Sequence, residues 1–304
     1  MKHRLTLATA LLLALPPVAT AQQPAPADGH AAGQHAPAGH DHQAHGQAGH
    51  DHAAHARQAL AAAIADPRRD PANAARDAWR HPAQTLEFFG VVPHHTVIEI
   101  TPGAGWYTEI LAPLLAGHGR YIAALVDPQA MPDGRRDSAQ RYLEGFNARI
   151  GADSERFGKA TVATFDPAAP VFGEPGSADV VLTFRNVHNW RSAGQAEGYF
   201  KGFFDVLRPG GVLGVVEHRA SADVPADDAS GYVGQDQVIA MARAAGFELE
   251  ASSEVNANPA DTKDHPNGVW TLPPVGRHDA ADADRYRVIG ESDRMTLKFT
   301  KPAQ

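Results

Sequence analysis

Three short groups of residues carry side chains able to do chemistry. In "VIEITPGAGWYTEIL", Val97 to Leu111, Glu99 stands inside an apolar run and a T-x-G-x-G turn follows, Thr101, Gly103 and Gly105. Glycine lacks Cβ, so such a turn can bend sharply and let a ligand approach its backbone. A helix after it offers unpaired N–H groups to a carboxylate. "RNVHNW" supplies Arg185, Asn186, His188 and Trp190, and "EHR" supplies Glu217, His218 and Arg219. Imidazole exchanges protons near neutral pH, which makes His188 the first candidate base and His218 the second. Each is as readily a structural hydrogen-bonding histidine. Arg185 suits a carboxylate clamp or an ion pair.

Other chemistries fit less well. A dinucleotide fingerprint needs a third glycine where Thr108 stands, and no Gly-Lys-Ser/Thr follows to make a phosphate loop. With no cysteine in 304 residues there is no disulfide, thiolate metal site or thiol nucleophile. A net charge of −8 argues against nucleic-acid binding, since such surfaces are basic.

The elements that must position these groups alternate. "TVIEI", "RYIAALV", "ATVATF", "DVVLTF", "VLGVVEH", "FELEASSEV" and "RMTLKFT" read as strands. "WYTEILAPLLA", "QRYLEGFNARI", "QAEGYFKGFFDVL" and "DQVIAMARAAG" read as crossover helices, with Pro113 kinking the first or marking its true start. Tyr199, Phe200, Phe203 and Phe204 suit a core rather than a cofactor box. Three helices, "RQALAAAIAD", "PANAARDAWR" and "AQTLEFFG", precede the first strand and cap one edge. Repeated βα units imply an α/β, doubly wound, Rossmann-like sheet of seven strands, mostly parallel, with its ligand at the carboxyl ends of the strands. The long polar stretch Asn256 to Pro274 reads as a lid or a packed surface loop, with Asp261, Lys263, Asp264, His265 and Trp270 as acceptor-selecting candidates.

On Glu99 and the T-x-G-x-G turn, on "LRPGGVLGVVEH" and on "FDPAAPVFGEPGSADVVLTFRNVHNW", the chain resembles the class I S-adenosylmethionine-dependent methyltransferases. The resemblance covers about Val91 to Pro302 and includes a terminal antiparallel strand. With "GESDRMTLKFTKP" and "DTKDHPNGVWTLPP", the whole looks closest to an exported, poorly characterised branch of predicted methyltransferases. It implies S-adenosylmethionine as cofactor and a small-molecule acceptor. Glu99, Thr101, Gly103 and Gly105 would hold the methionine portion, Asp127 the ribose, Asp166 the adenine, and Asn186 the pocket floor. Trp106 and Tyr107 either wall that pocket or fill it.

The N-terminus points elsewhere. Lys2, His3 and Arg4 precede an apolar run and Ala19-Thr20-Ala21, the pattern of a signal peptide over 1–21, cleaved for export to the periplasm or beyond. No later stretch suits a membrane span. Residues 22–56 are poor in large apolar groups and read as a disordered leader, with the folded domain over 57–304. His30 and His35, then His40, His42, His45, His50, His52 and His55, suit weak, adaptable Zn, Cu or Ni binding or an inert linker. Export separates the chain from cytoplasmic S-adenosylmethionine. Catalysis therefore competes with a methyltransferase fold that only binds a ligand or metal. An oxidoreductase is disfavoured by the glycine pattern.

Overall fold

The computed structural model describes residues 42–303. Residues 45–304 form one compact unit. The signal-peptide reading and the leader reading up to residue 41, with His30, His35 and His40, lie outside the described residues.

The first helix, α1 (His42–Ile64), starts inside the segment read as a leader and carries His42, His45, His50, His52 and His55. Its alanines are the best helix formers, and Leu60 and Ala63 give it a buried contact. The helix read over "PANAARDAWR" is two single turns, α2 (Pro71–Ala74) and α3 (Asp77–Arg80). Asp70 caps α2, its side chain accepting from Ala72 N, with Pro71 next. His81 turns left-handed before α4 (Pro82–Phe88).

Strands β1 (Thr96–Ile100), β2 (Arg120–Val126), β3 (Thr161–Phe165), β4 (Ala178–Phe184), β5 (Leu207–His218), β6 (Glu248–Ser253) and β7 (Arg294–Thr300) make one sheet. The order is β3-β2-β1-β4-β5-β7-β6, and β7 runs antiparallel to both neighbours. The seven-stranded, mostly parallel α/β fold is as the sequence implies. The order reverses between β1 and β4, so their carboxyl ends border the crevice where such sheets take ligands.

Helices α5 (Thr108–Leu115), α6 (Asp133–Ala152) and α7 (Ser154–Phe157) belong with α1 and α4 to one apolar layer. Helices α8 (Val187–Ser192), α9 (Ala196–Val206) and α10 (Gln235–Ala244) belong to the other, and α11 (Ala283–Ile289) precedes β7. Tyr199, Phe200 and Phe203 are core, as expected. In β5, a Cβ on Gly214 would lie 2.8 Å from the Phe89 ring and 2.7 Å from Leu182, so glycine there admits both.

Pro113 neither starts nor ends α5, which runs through it. A proline lacks the N–H that would bond the carbonyl four residues earlier. That carbonyl is Glu109 O, and it accepts instead from Arg156 Nη2 at 2.8 Å. Arg156→Met should therefore cost about 1–3 kcal/mol, the price of a buried unpaired carbonyl, in urea unfolding. Pro113→Ala restores a donor, so the same change should cost clearly less in that background. Equal costs in both backgrounds would refute this account of the helix.

Candidate active site

Both loops after the central strands leave the sheet strained. Thr101 follows β1 with φ +48° and Arg185 follows β4 with φ +61°, a left-handed region disfavoured for side chains with Cβ. Gly103 has φ +58°, and a Cβ there would meet nothing within 4 Å. Its glycine is needed for the backbone angle, and open space lies above it.

That space is a cavity of 190 Å³ lined by Arg80, Glu99, Thr101, Gly103, Trp106, Tyr107, Phe184, Arg185 and Asn186 among others. A second, of 350 Å³, shares Arg80, Gly103, Trp106 and Arg185 with it and adds His188, His218, Trp270 and Glu291. The latter falls in the usual range for small-molecule sites. A further cavity, of 680 Å³ between α9 and α10, includes none of the candidate site residues.

Glu99 is buried and accepts from Tyr121 Oη at 2.6 Å and Thr108 Oγ1 at 3.3 Å. Burial outweighs these donors and pushes its carboxyl up to about 7. Asn186 gives its amide N–H groups to Ile100 O at 3.0 Å and Thr183 Oγ1 at 3.2 Å, which leaves its oxygen as an acceptor. Trp106 and Tyr107 wall the smaller cavity. Tyr107 stacks on Phe184, with ring centroids 3.6 Å apart, and Trp106 Nε1 donates to Asn73 O at 2.8 Å.

Glu217 is fully buried at the end of β5. Its Oε2 accepts from the N–H of Val187 at 2.6 Å and of His188 at 3.3 Å, and its Oε1 from the N–H of His218 at 2.7 Å. A carboxylate so surrounded by donors makes the His188 Nδ1, 3.1 Å away, a donor as well, leaving Nε2 as the basic nitrogen. His218 Nδ1 meets Ser292 Oγ at 2.6 Å. Burial, and then the charges of His188, Arg185, Arg294 and Arg80, hold His218 well below the usual imidazole range. It is a poor proton acceptor at neutral pH, which favours His188. His188, Glu217 and His218 offer donor atoms within 4.8 Å of one another, as a metal site would. The nearby guanidinium groups raise the cost of a cation there.

The structure thus brings together Glu99, Thr101, Gly103, Arg185 and Asn186, with His188 and His218 in the adjoining cavity. Gly105 shapes the turn with φ +77°. Asp127 and Asp166 stand apart. Each caps its own turn, Oδ1 accepting from Gln129 N and Ala168 N at 2.9 and 2.8 Å, and neither lines these two cavities. Of the acceptor-selecting candidates only Trp270 lines either of these two cavities. Asp261 and His265 are buried and bonded to each other at 2.8 Å, and Asp261 also accepts from Tyr232 Oη and Asp293 N. These two fix the loop. Lys263 pairs with Asp293 at 3.0 Å, and Asp264 accepts from Thr262 Oγ1.

Arg76, Arg80 and Glu291 were not legible as site residues. Glu291 accepts from Arg76 Nε at 2.7 Å, Arg80 Nε at 3.1 Å and Arg294 Nη1 at 3.0 Å. Burial alone would raise its carboxyl, but Arg80, Arg294, Arg76 and Arg185 hold it down at about 2. No helix among the described residues is long and apolar enough to cross a membrane.

No protein-family model matches the chain, and no curated protein matches it. Solved structures resemble it in fold. A S-adenosylmethionine-dependent methyltransferase from Aquifex aeolicus is 13% identical, over 76% of this chain and 94% of that one, with a TM-score of 0.48. The [4+2]-cyclase SpnF is 16% identical, over 79% and 85%, at 0.49. A S-adenosylmethionine-dependent methyltransferase from Methanosarcina mazei is 13% identical, over 72% and 97%, at 0.46.

The raised Glu99 carboxyl makes a pH prediction. Its folded-state value of about 7 exceeds the ordinary 4.5, so its contribution to stability is fully present below 4.5 and lost as pH rises through 7. Between pH 6 and pH 8.5 the protein should lose stability of about 1.4 kcal/mol by this route. Glu99→Gln should flatten that slope in thermal melts; an unchanged slope would place the titrating group elsewhere.

Proposed function

We propose that the protein transfers a methyl group from S-adenosylmethionine to a small-molecule acceptor. One observation carries this: two cavities share a wall at the β1/β4 reversal, one lined by acceptors above a glycine turn, the other by a histidine held by a buried carboxylate. The residues of the smaller cavity fit the methionine end of the cofactor. Glu99 and the Asn186 oxygen face it as hydrogen-bond acceptors for an ammonium group, and Gly103 leaves room above the turn. Bound there, the cofactor would supply an electrophilic methyl group. His188 takes the proton from the acceptor's nucleophile, with Glu217 fixing the tautomer that leaves Nε2 free. Trp270, Pro273 and Pro274 give the larger cavity an apolar wall. Asp127 retains Oδ2, which makes no hydrogen bond among the described residues, for a ribose hydroxyl.

The competing reading is an exported protein of this fold that binds a ligand or metal without catalysis. The placement of Asp127 and Asp166 outside the two cavities favours it. Calorimetric titration separates the two. Saturating S-adenosylmethionine should release heat and raise Tm by roughly 5 °C. Folded protein that gives neither leaves the second reading. An ammonium partner needs ionised Glu99, so affinity should rise from pH 6 to pH 7.5 in the wild type and stay level in Glu99→Gln. Once an acceptor is in hand, His188→Ala should lower kcat about 10²–10³-fold, measured at saturating cofactor. The export reading rests on residues 2–21 alone; a mature N-terminus at Gln22, read by mass spectrometry, would support it.

A further inference from the structure

The larger cavity carries a charge pattern that methyl transfer by itself does not call for. Arg80 is 3% exposed, lines both cavities and lies 4.8 Å over the Trp106 ring. Only its Nε is engaged, on Glu291; its two Nη groups make no hydrogen bond among the described residues. Arg76 lines the larger cavity alone, and its Nη2 is buried without a partner. The Arg185 guanidinium also makes no hydrogen bond among the described residues, and it lines both cavities. Glu291 is the sole acidic residue in the lining of the larger cavity, and Arg294 behind it takes part of its charge. The same cavity is bordered by Val269, Trp270, Pro273 and Pro274, which are apolar or aromatic.

Arg80 is buried, Arg76 and Arg185 are half-buried with Arg76 Nη2 shut off from water, and unspent N–H donors so placed favour an oxyanion, whose geometry in carboxylate or phosphate matches the guanidinium fork. We propose that the larger cavity binds an anionic small molecule, its carboxylate or phosphate held by Arg76, Arg80 and Arg185 and its flat apolar body lying against Trp270 and the prolines. Naming that anion as the methyl acceptor rests on the methyl-transfer reading; the anion site itself does not. The second source of an oxyanion is the cofactor's own carboxylate. Arg76 distinguishes them, because it lines the larger cavity and not the one above the glycine turn.

The test is calorimetric titration of the full-length protein with phenyl phosphate, with benzoate and with the uncharged benzamide. Both anions should bind, benzamide about tenfold more weakly or worse, and raising salt from about 0.05 M to about 0.5 M should weaken phenyl phosphate. Arg185→Gln, which removes no protein hydrogen bond, and Arg76→Gln should each weaken phenyl phosphate by about tenfold, with Tm measured in parallel to confirm folding. Saturating S-adenosylhomocysteine should leave phenyl phosphate bound. Mutual exclusion would assign the arginines to the cofactor's carboxylate and overturn the proposal. So would equal affinity for benzoate and benzamide, or undiminished binding in both variants. Cofactor binding without phenyl phosphate binding sinks the anion site and leaves methyl transfer standing; the reverse result does the opposite.

Discussion

The carboxylate of Glu291 is the point on which the site depends. It lies just before β7, yet it bonds Arg76 and Arg80 from the helical segment that precedes β1, and Arg294 from β7 itself. Residues some two hundred positions apart are thereby fixed at one wall. Removing that single negative charge would leave buried guanidinium groups uncompensated, which costs far more than the attraction gained by forming the pair. Arg80 in turn lies over Trp106, whose indole is tied to Asn73, so the helical cap and the glycine turn hold one another in place.

Strain is concentrated where this wall meets the sheet. Thr101 and Arg185 both adopt left-handed backbone at the ends of the strands that flank the order reversal, each at a cost of about 1–3 kcal/mol. Such conformations persist only where the surroundings dictate them. Thr101 N donates to Ala124 O and Arg185 N to Val216 O, so each residue keeps a bond to the neighbouring strand while its chain turns away. The result presents Arg185 to both cavities with its guanidinium unspent. The positive φ at Thr101 is one that glycine takes freely and threonine does not.

Much of the fold was legible because it is written in local patterns. Apolar runs of five to seven residues became strands β1, β2 and β4, and the aromatic spacing of α9 became core. The histidine beside Glu217 was legible too, since strand ends at an order reversal are where such side chains gather. What escaped was set by long-range contacts. Pro113 reads locally as a helix breaker; only the distant Arg156 makes it tolerable. Asp261 and His265 read as exposed loop chemistry, but Tyr232 and Asp293 bury them as a strut. Asp127 matched a family position by sequence, and its own turn claims one of its oxygens. Arg76, before α3, and Arg80, at its end, carry no local signal of a site, because nothing nearby in sequence announces Glu291.

The antiparallel strand β7 has a consequence for how the molecule is made. It enters between β5 and β6, and among the described residues it is the only partner of β6. Glu291 and Arg294 travel with it. A folding chain can align its first five strands early, while β6 has nothing to pair with and the guanidinium wall has no counter-charge until the segment from Glu291 through β7 joins the sheet. Closing the far edge of the sheet and neutralising the guanidinium wall are thereby one event in folding, which strands β1 to β5 can precede.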